Sequence, residues 1–453
     1  MHCTCLVWLG GPRSASPTRR LKAPSSTFSL GLADSELNRQ VIPIAIDVVE
    51  QADLLSDDLA ELRHALHREP EVGLHLPGTQ QRVLGALDGL PLEISTGSAL
   101  TSVTGVLRGA RPGPVVLLRG DMDALQIEEK TGVPYRARTD DAMHACGHDL
   151  HTAMLVGAAH LLAHARDELA GSVIFMFQPG EEACDGAGHM IAEGVLDAAG
   201  DRPIAAYALH VMSAGYPHGT FVGRPGPMLA ASDALGVRVR GVGGHGSAPH
   251  LARDPVMAAC EMALALQTYM TRSIDPLEPA VLTVGSFHAG TRRNVIPETA
   301  SFDATVRTFS QEVRDKVARE TVRVCEGIAA AHGLEVDAVY SQEYPVTVND
   351  EAEASFAADT VAALFGGSRF TPMARPVTGA EDFSRVLAEV PGAMVFLGAT
   401  PPGEDYIGAP FNHSQHATFD DGVLSAGAAL YAGLALRRLA TAVSSNDTEE
   451  GTA

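Results

Sequence analysis

Three apolar runs in this chain stop abruptly at residues that carry charge or bind metals, and that pattern leaves few folds open. "GPVVLLRGDMDAL" reads as a buried β-strand ending in Asp121 and Asp123, "GSVIFMFQPGEEA" as a second ending in Glu181 and Glu182, and "IAAYALHV" as a third ending in His210. Continuous apolar runs are what strands need when both faces of a parallel sheet are covered. Helical stretches separate them, among them the almost wholly apolar "HDLHTAMLVGAAHLLAHA" that follows Cys146. Alternating strands and helices predict an α/β fold with a mainly parallel central sheet. Polar residues gathered at the carboxyl ends of such strands mark where the sheet binds its ligand.

The pattern changes between residues 231 and 345. There the order is strand, helix, strand, strand, helix, strand, the split β-α-β or ferredoxin-like unit. Asp254-Pro255 is a helix start, with Asp as N-cap and Pro in the first turn. After it, "TGAEDFSRVLAEV", "AMVFLGA" and "FNHSQHATFD" resume the earlier α/β character. A chain of 453 residues exceeds one ordinary core. We therefore expect a discontinuous catalytic domain at 46–230 and 346–440, interrupted by a smaller domain at 231–345. Residues 1–45, with no acidic residue before Asp34, are expected to be a disordered extension or the product of a start placed too early. A targeting peptide fits less well, because "CLVWLG" is short and lacks a charged leader. Residues 441–453 are expected to be a disordered tail.

Asp plus Glu outnumber Lys plus Arg by 55 to 33, a net charge of −22 that argues against nucleic acid as a partner. No uninterrupted apolar run approaches the roughly 20 residues of a membrane span, so no membrane partner is expected. Six cysteines are too few for a disulfide framework in a chain this long, and a reducing cytoplasm fits them best.

Five clusters carry the chemistry: Asp121 with Asp123, Cys146 with His148, Glu181 with Glu182, His210, and His413 in "FNHSQH". A lone His or Asp before a turn is more often a cap than a ligand. Five clusters in register with strand ends are hard to explain as caps. Thiolate, imidazole and carboxylate together suit Zn, Mn, Co or Ni better than Mg or Ca, which prefer oxygen shells.

The sequence resembles the amidohydrolase branch of the M20 metallopeptidase family, which contains hippurate hydrolases, N-acyl-amino-acid deacylases and auxin-conjugate hydrolases. "DMDAL", "MHACGHDLHTAMLVGAA", "FQPGEE", "GGHGSAPH", "NVIP", "TGAEDF" and "NHS" occur in the family's order, from about Leu59 to Leu436. The resemblance implies two divalent metals per subunit held by Cys146, His148, Glu182, His210 and His413, with Glu181 as general base. It also implies a lid domain through which two subunits pair. Asp121 stands where the wider family has a metal-binding His and is not counted as a ligand; Asp123 is expected to hold a ligand or the base in place. His245 is expected to stabilise the oxyanion, from the partner subunit if the lid dimerises, and Asn294 with Arg293 to bind the substrate. Gln126 departs from the branch's usual Pro, which bears on a turn more than on chemistry.

Other polar residues carry weaker expectations. His144 and His151 flank the ligands and read as supporting groups, Asp149 as a helix cap or a brace, and Glu381 as a substrate contact or a support for His413. His64 and His67 read as surface or capping residues, and Cys184 as a small buried thiol. The function implied is hydrolysis of the amide bond of an N-acyl amino acid or similar small conjugate by metal-activated water. Alternatives are a di- or carboxypeptidase of the same family, a non-catalytic metal-binding protein, and a dinucleotide-binding enzyme. The last rests on "GVGGHG", whose spacing to the helix at Asp254-Pro255 is wrong for a phosphate loop.

Overall fold

The computed structural model describes residues 47–450, with side chains described as far as residue 442; the expectation for residues 1–45 lies outside the described residues. Three helices come first: α1 (Val48–Leu54), capped by the Asp47 carboxylate, α2 (Ser56–Arg68), and α3 (Pro77–Ala86), with Pro77 in its first turn. Then follow β1 (Leu92–Thr96), β2 (Val103–Arg108), β3 (Arg111–Asp121), α4 (His148–His164), β4 (Ala170–Gln178), α5 (Gly186–Ala192), β5 (Ala205–Met212), β6 (Phe221–Gly223) and β7 (Gly226–Leu229). The middle of the chain forms β8 (Ala231–Arg240), β9 (Gly244–His245), α6 (Pro255–Ser273), β10 (Ala280–Ala289), β11 (Val295–Ile296), β12 (Thr299–Thr308), α7 (Gln311–His332) and β13 (Glu335–Tyr344). The chain returns through β14 (Thr347–Asn349), α8 (Glu351–Phe365), β15 (Phe370–Pro372), α9 (Ser384–Leu387), β16 (Gly392–Gly398) and α10 (Leu424–Glu450).

The first and last parts share an eight-stranded sheet in the order β1-β2-β4-β3-β5-β16-β6-β15. Its centre, β4-β3-β5-β16, is parallel throughout, and antiparallel pairs are confined to the flanks. Alternation sorts the side chains of these strands onto two covered faces. Val116, Leu118, Phe175, Leu209 and Val395 pack beneath α4 and α10, while Leu117, Ile174, Ala208 and Phe396 face α5 and α9. This double cover is why the strands read as unbroken apolar runs.

Helix α4 is buried on nearly every side, and Leu150, Leu155 and Leu162 are fully enclosed. Each such leucine contributes about 1.5–3 kcal/mol through burial, which makes α4 a rigid support for whatever its first turn carries. Helix α10 is apolar and long enough over Asp421–Ala442 to cross a membrane by composition, but 72% of that stretch is buried inside the protein, as expected of a core helix. Its backbone stays helical to Glu450, into the tail expected to be disordered. That tail is mostly Ser, Thr, Asn and Asp, but no Gly or Pro interrupts it before Gly451, so nothing in it breaks the helix begun at Leu424.

The middle strands form a separate antiparallel sheet, β10-β12-β8-β13, with its own core of Leu235, Val237, Phe302 and Val306 against Met262 and Leu266 of α6 and Val317 of α7. The helix after "GVGGHG" begins only at Pro255, beyond a short 3-10 turn at Pro249–Leu251, so the glycine run does not lead straight into a helix as a dinucleotide loop must.

Candidate metal centre

Strand ends bring the donors together. β3 delivers Asp121 and then Asp123, β4 leads through Pro179 and Gly180 to Glu181 and Glu182, β5 carries His210, and the segment after β16 leads to His413. His148 opens α4 behind Gly147, whose φ of 85° and a Val211 methyl 2.3 Å from any Cβ leave room only for glycine. The Cys146 Sγ lies 3.4 Å from His210 Nε2 and 3.2 Å from His413 Nε2, and His413 Nε2 lies 3.1 Å from Glu182 Oε1. Two groups, Cys146–His148–His210 and Cys146–Glu182–His413, each hold their donor atoms within 4.8 Å of one another. They share the thiol, so all five expected ligands converge on it.

Tautomers separate ligands from braces. His210 Nδ1 lies 2.8 Å from the Val211 carbonyl, which fixes Nδ1 as the donor and leaves Nε2, nearest the thiol, with a free lone pair. His151 has neither nitrogen free: Nδ1 meets Asp121 at 2.5 Å and Nε2 accepts the Val211 amide at 2.8 Å. His151 therefore braces rather than ligates. His148 is fully buried, yet among the described residues neither ring nitrogen makes a hydrogen bond; the nearest carboxylates, Asp121 and Asp123, stand off at 3.5 Å from Nε2 and 3.4 Å from Nδ1. Orphaned polar atoms at a buried site call for a missing partner. A divalent cation fits this one, given the sulfur, nitrogen and oxygen donors around it.

Carboxylates set the second layer. Asp123 accepts the amides of both Glu181 and Glu182 at 3.0 Å. Asp121 accepts from the buried Arg119 at 2.7 Å, and Arg119 also reaches Glu381 and Asp382, each at 2.8 Å. Burial, then the nearby carboxylates of Glu381, Glu182 and Asp382, raises the proton affinity of Glu181 well above that of an ordinary glutamate. A carboxylate in that setting is suited to accept and hold a proton at neutral pH. Burial likewise pushes Glu381 up to about 8, against the pull of Arg119.

The turn carrying Glu181 and Glu182 is strained: Ala183, Asp185 and, across the site, His413 all have positive φ, at 61°, 52° and 70°. Each such residue costs about 1–3 kcal/mol, and strain of this kind gathers at functional sites. The turn forms the floor of a cavity of about 1030 Å³, walled by Met212, Leu229, Val377, Phe396 and Phe411 and, from the four-stranded sheet, by Ser232 and Arg307.

Other expected residues lie elsewhere. β9 pairs with β11 so that His245 stands opposite Val295, next to Asn294, and His245, Arg293 and Asn294 are all exposed and outside this cavity. His67 is not a surface residue: it is 2% exposed and shares the Asp149 carboxylate with Arg63, both at 2.8 Å. Asp149 braces α4 instead of capping it. Cys184 lines the cavity and is only partly buried. His64 reaches Asp421 at 2.8 Å and stacks on Tyr135. Sequence reasoning did not single out Arg119, Tyr344 or Asn412, whose amide nitrogen bonds the Val211 carbonyl beside His210.

The chain matches the description of peptidase family M20/M25/M40 over residues 117–437. It is 36% identical over 387 residues to thermostable carboxypeptidase 2 of Saccharolobus solfataricus, covering 84% of this chain and 96% of that protein. It is 38% identical over 344 residues to N-acetyl-L-cysteine deacetylase of Bacillus subtilis, covering 76% and 81%. A crystal structure of a dinuclear metal-binding M20 peptidase from Bacillus subtilis superposes with a TM-score of 0.73 at 32% identity, over 86% of this chain and 99% of that one.

Proposed function

The chain belongs to peptidase family M20/M25/M40 and is a hydrolase of amide bonds, and from that premise we propose that it removes the acyl group from N-acyl amino acids or similar small conjugates. The observation that carries this reading is the convergence of five donors on Cys146 beside the buried carboxylate of Glu181. In it, two divalent ions would be held by donors from the groups Cys146–His148–His210 and Cys146–Glu182–His413. The ions, when bound, acidify a water and polarise the scissile carbonyl.

Glu181 takes the proton of the attacking water and passes it to the leaving nitrogen. Asp123 keeps that carboxylate and the Glu182 carboxylate diverging from adjacent backbone positions. The apolar wall of Met212, Leu229, Val377, Phe396 and Phe411 offers an acyl group a surface on which to bury its carbon atoms. A di- or carboxypeptidase is the second reading, favoured by the likeness to the carboxypeptidase.

Residues 231–345 are read as a lid that pairs two subunits, with His245 as oxyanion donor and Asn294 and Arg293 as substrate contacts at the partner's site. Their exposure and distance from their own cavity support that arrangement, as do the exposed Leu251, Met257 and Leu264 on and beside α6. The test is amine release from N-acetyl, N-benzoyl and indole-acyl amino acids against dipeptides, with Zn, Mn, Co and Ni in turn. Turnover of at least one acyl series about tenfold or more above the dipeptides is expected. Equal or faster cleavage of dipeptides supports the peptidase reading instead.

A further inference from the structure

The turn from Glu181 to Gly186 is fastened on one side by Asp123 and on the other by a residue from outside the eight-stranded sheet. Tyr344, the last residue of β13 and 9% exposed, donates its hydroxyl proton to the Glu181 carbonyl at 3.1 Å and accepts the Asp185 amide at 3.0 Å. One oxygen thus ties together the start and the end of a turn in which Ala183 and Asp185 hold left-handed φ. Arg385 reinforces the join: it grips the Asp185 carboxylate at 2.9 and 3.0 Å and the Glu343 carbonyl at 2.6 Å. Burial raises the Tyr344 hydroxyl well above its ordinary range, so it stays protonated and able to donate wherever the enzyme works.

We propose that Tyr344 is a positioning residue for the turn that carries the base and a metal ligand, and that through it the seat of the four-stranded sheet sets where Glu181 points. This rests on the reading of Glu181 as base and Glu182 as ligand. A buried phenol needs some partner, but here both partners belong to the one turn the reaction depends on. Removing the hydroxyl leaves a carbonyl and an amide unpaired in a strained segment, which then relaxes. A shift of about 1 Å in a reacting group is enough to cost up to about 100-fold in rate.

Tyr344→Phe is compared with Tyr340→Phe, which deletes the same atom from the same strand but from a hydroxyl that donates to Asp233 at 2.8 Å instead of to the turn. Amide hydrogen exchange on the metal-free proteins reads the turn directly, and kcat and KM at matched metal content read its consequence. Tyr344→Phe is expected to speed exchange at Asp185 about tenfold or more and to lower kcat about 10- to 100-fold with KM within about threefold. Tyr340→Phe should match wild type in both. Wild-type exchange at Asp185, an unchanged kcat, or equal losses in the two variants would each overturn the proposal. Exchange is read without substrate, and kcat on whichever amide the wild type cleaves faster, so a wrong substrate assignment does not mimic a wrong role for Tyr344.

Discussion

Glu129 shows how a single buried residue supports the site without touching it. Its carboxylate accepts the Ala137 amide at 2.7 Å and faces His67, which in turn binds Asp149 in the first turn of α4. Burial alone would raise its pKa, but the bonds from His67, Thr131 and the Ala137 amide overcome this and hold it at about 2. A depressed carboxylate stabilises the fold above its ordinary pKa, and that stability is lost as pH falls through about 4.5 toward 2. Glu129→Gln is therefore expected to cost about 1–3 kcal/mol near pH 7. In thermal melts its gap to wild type should narrow steadily below pH 4.5; a constant gap would contradict the assignment. Residue types with intrinsic metal chemistry made the clusters legible in the sequence, and the family resemblance narrowed them to Cys146, His148, Glu182, His210 and His413. The roles of His67 and Tyr344 were not legible there, because what defines them is a partner far along the chain: Asp149 lies 82 residues from His67, and Glu181 lies 163 from Tyr344.

At the scale of elements, strand ends and the apolar α4 were readable because burial on both sheet faces writes a continuous pattern. The β-α-β-β-α-β order of the middle segment was readable for a different reason: its strands bury one face and alternate, so the pattern switches between period 2 and period 3.6. The turn after β4 was not, since its geometry depends on close approach. Gly186 donates its amide to the Gly180 carbonyl at 3.0 Å, and a Cβ on it would sit 1.8 Å from the Pro179 carbonyl oxygen, a backbone atom that cannot swing aside. Gly186→Ala must move the segment that positions Glu181 and Glu182. We expect a loss of about 1–3 kcal/mol in stability together with weakened metal retention, measured by melting and by metal content after dialysis. Full metal content in a normally stable Gly186→Ala protein would refute this account of the turn.

For the whole molecule, the separation of His245, Asn294 and Arg293 from the donor cluster of their own chain makes a prediction about subunits. If each lid serves its partner, Glu181→Gln and His245→Ala proteins are each nearly inactive alone. Mixed after dissociation and reassociation, they should recover about a quarter of wild-type activity, because half of the dimers are mixed and each of those holds one intact site. No recovery in mixtures shown to exchange subunits would place His245 in its own chain's site or outside catalysis. The sequence could not decide this, since it lists the residues of one chain and says nothing of which copy they face.

Catalysis rests most on the division of labour proposed for two adjacent residues, Glu182 for the metal and Glu181 for the proton. Glu181→Gln keeps size and shape but cannot accept the proton. The most direct measurement is kcat for the best N-acyl amino acid with wild type and Glu181→Gln, each loaded to the same metal content. The expected result is a fall of about 100-fold or more with equal metal bound. Comparable turnover at equal metal content would contradict it.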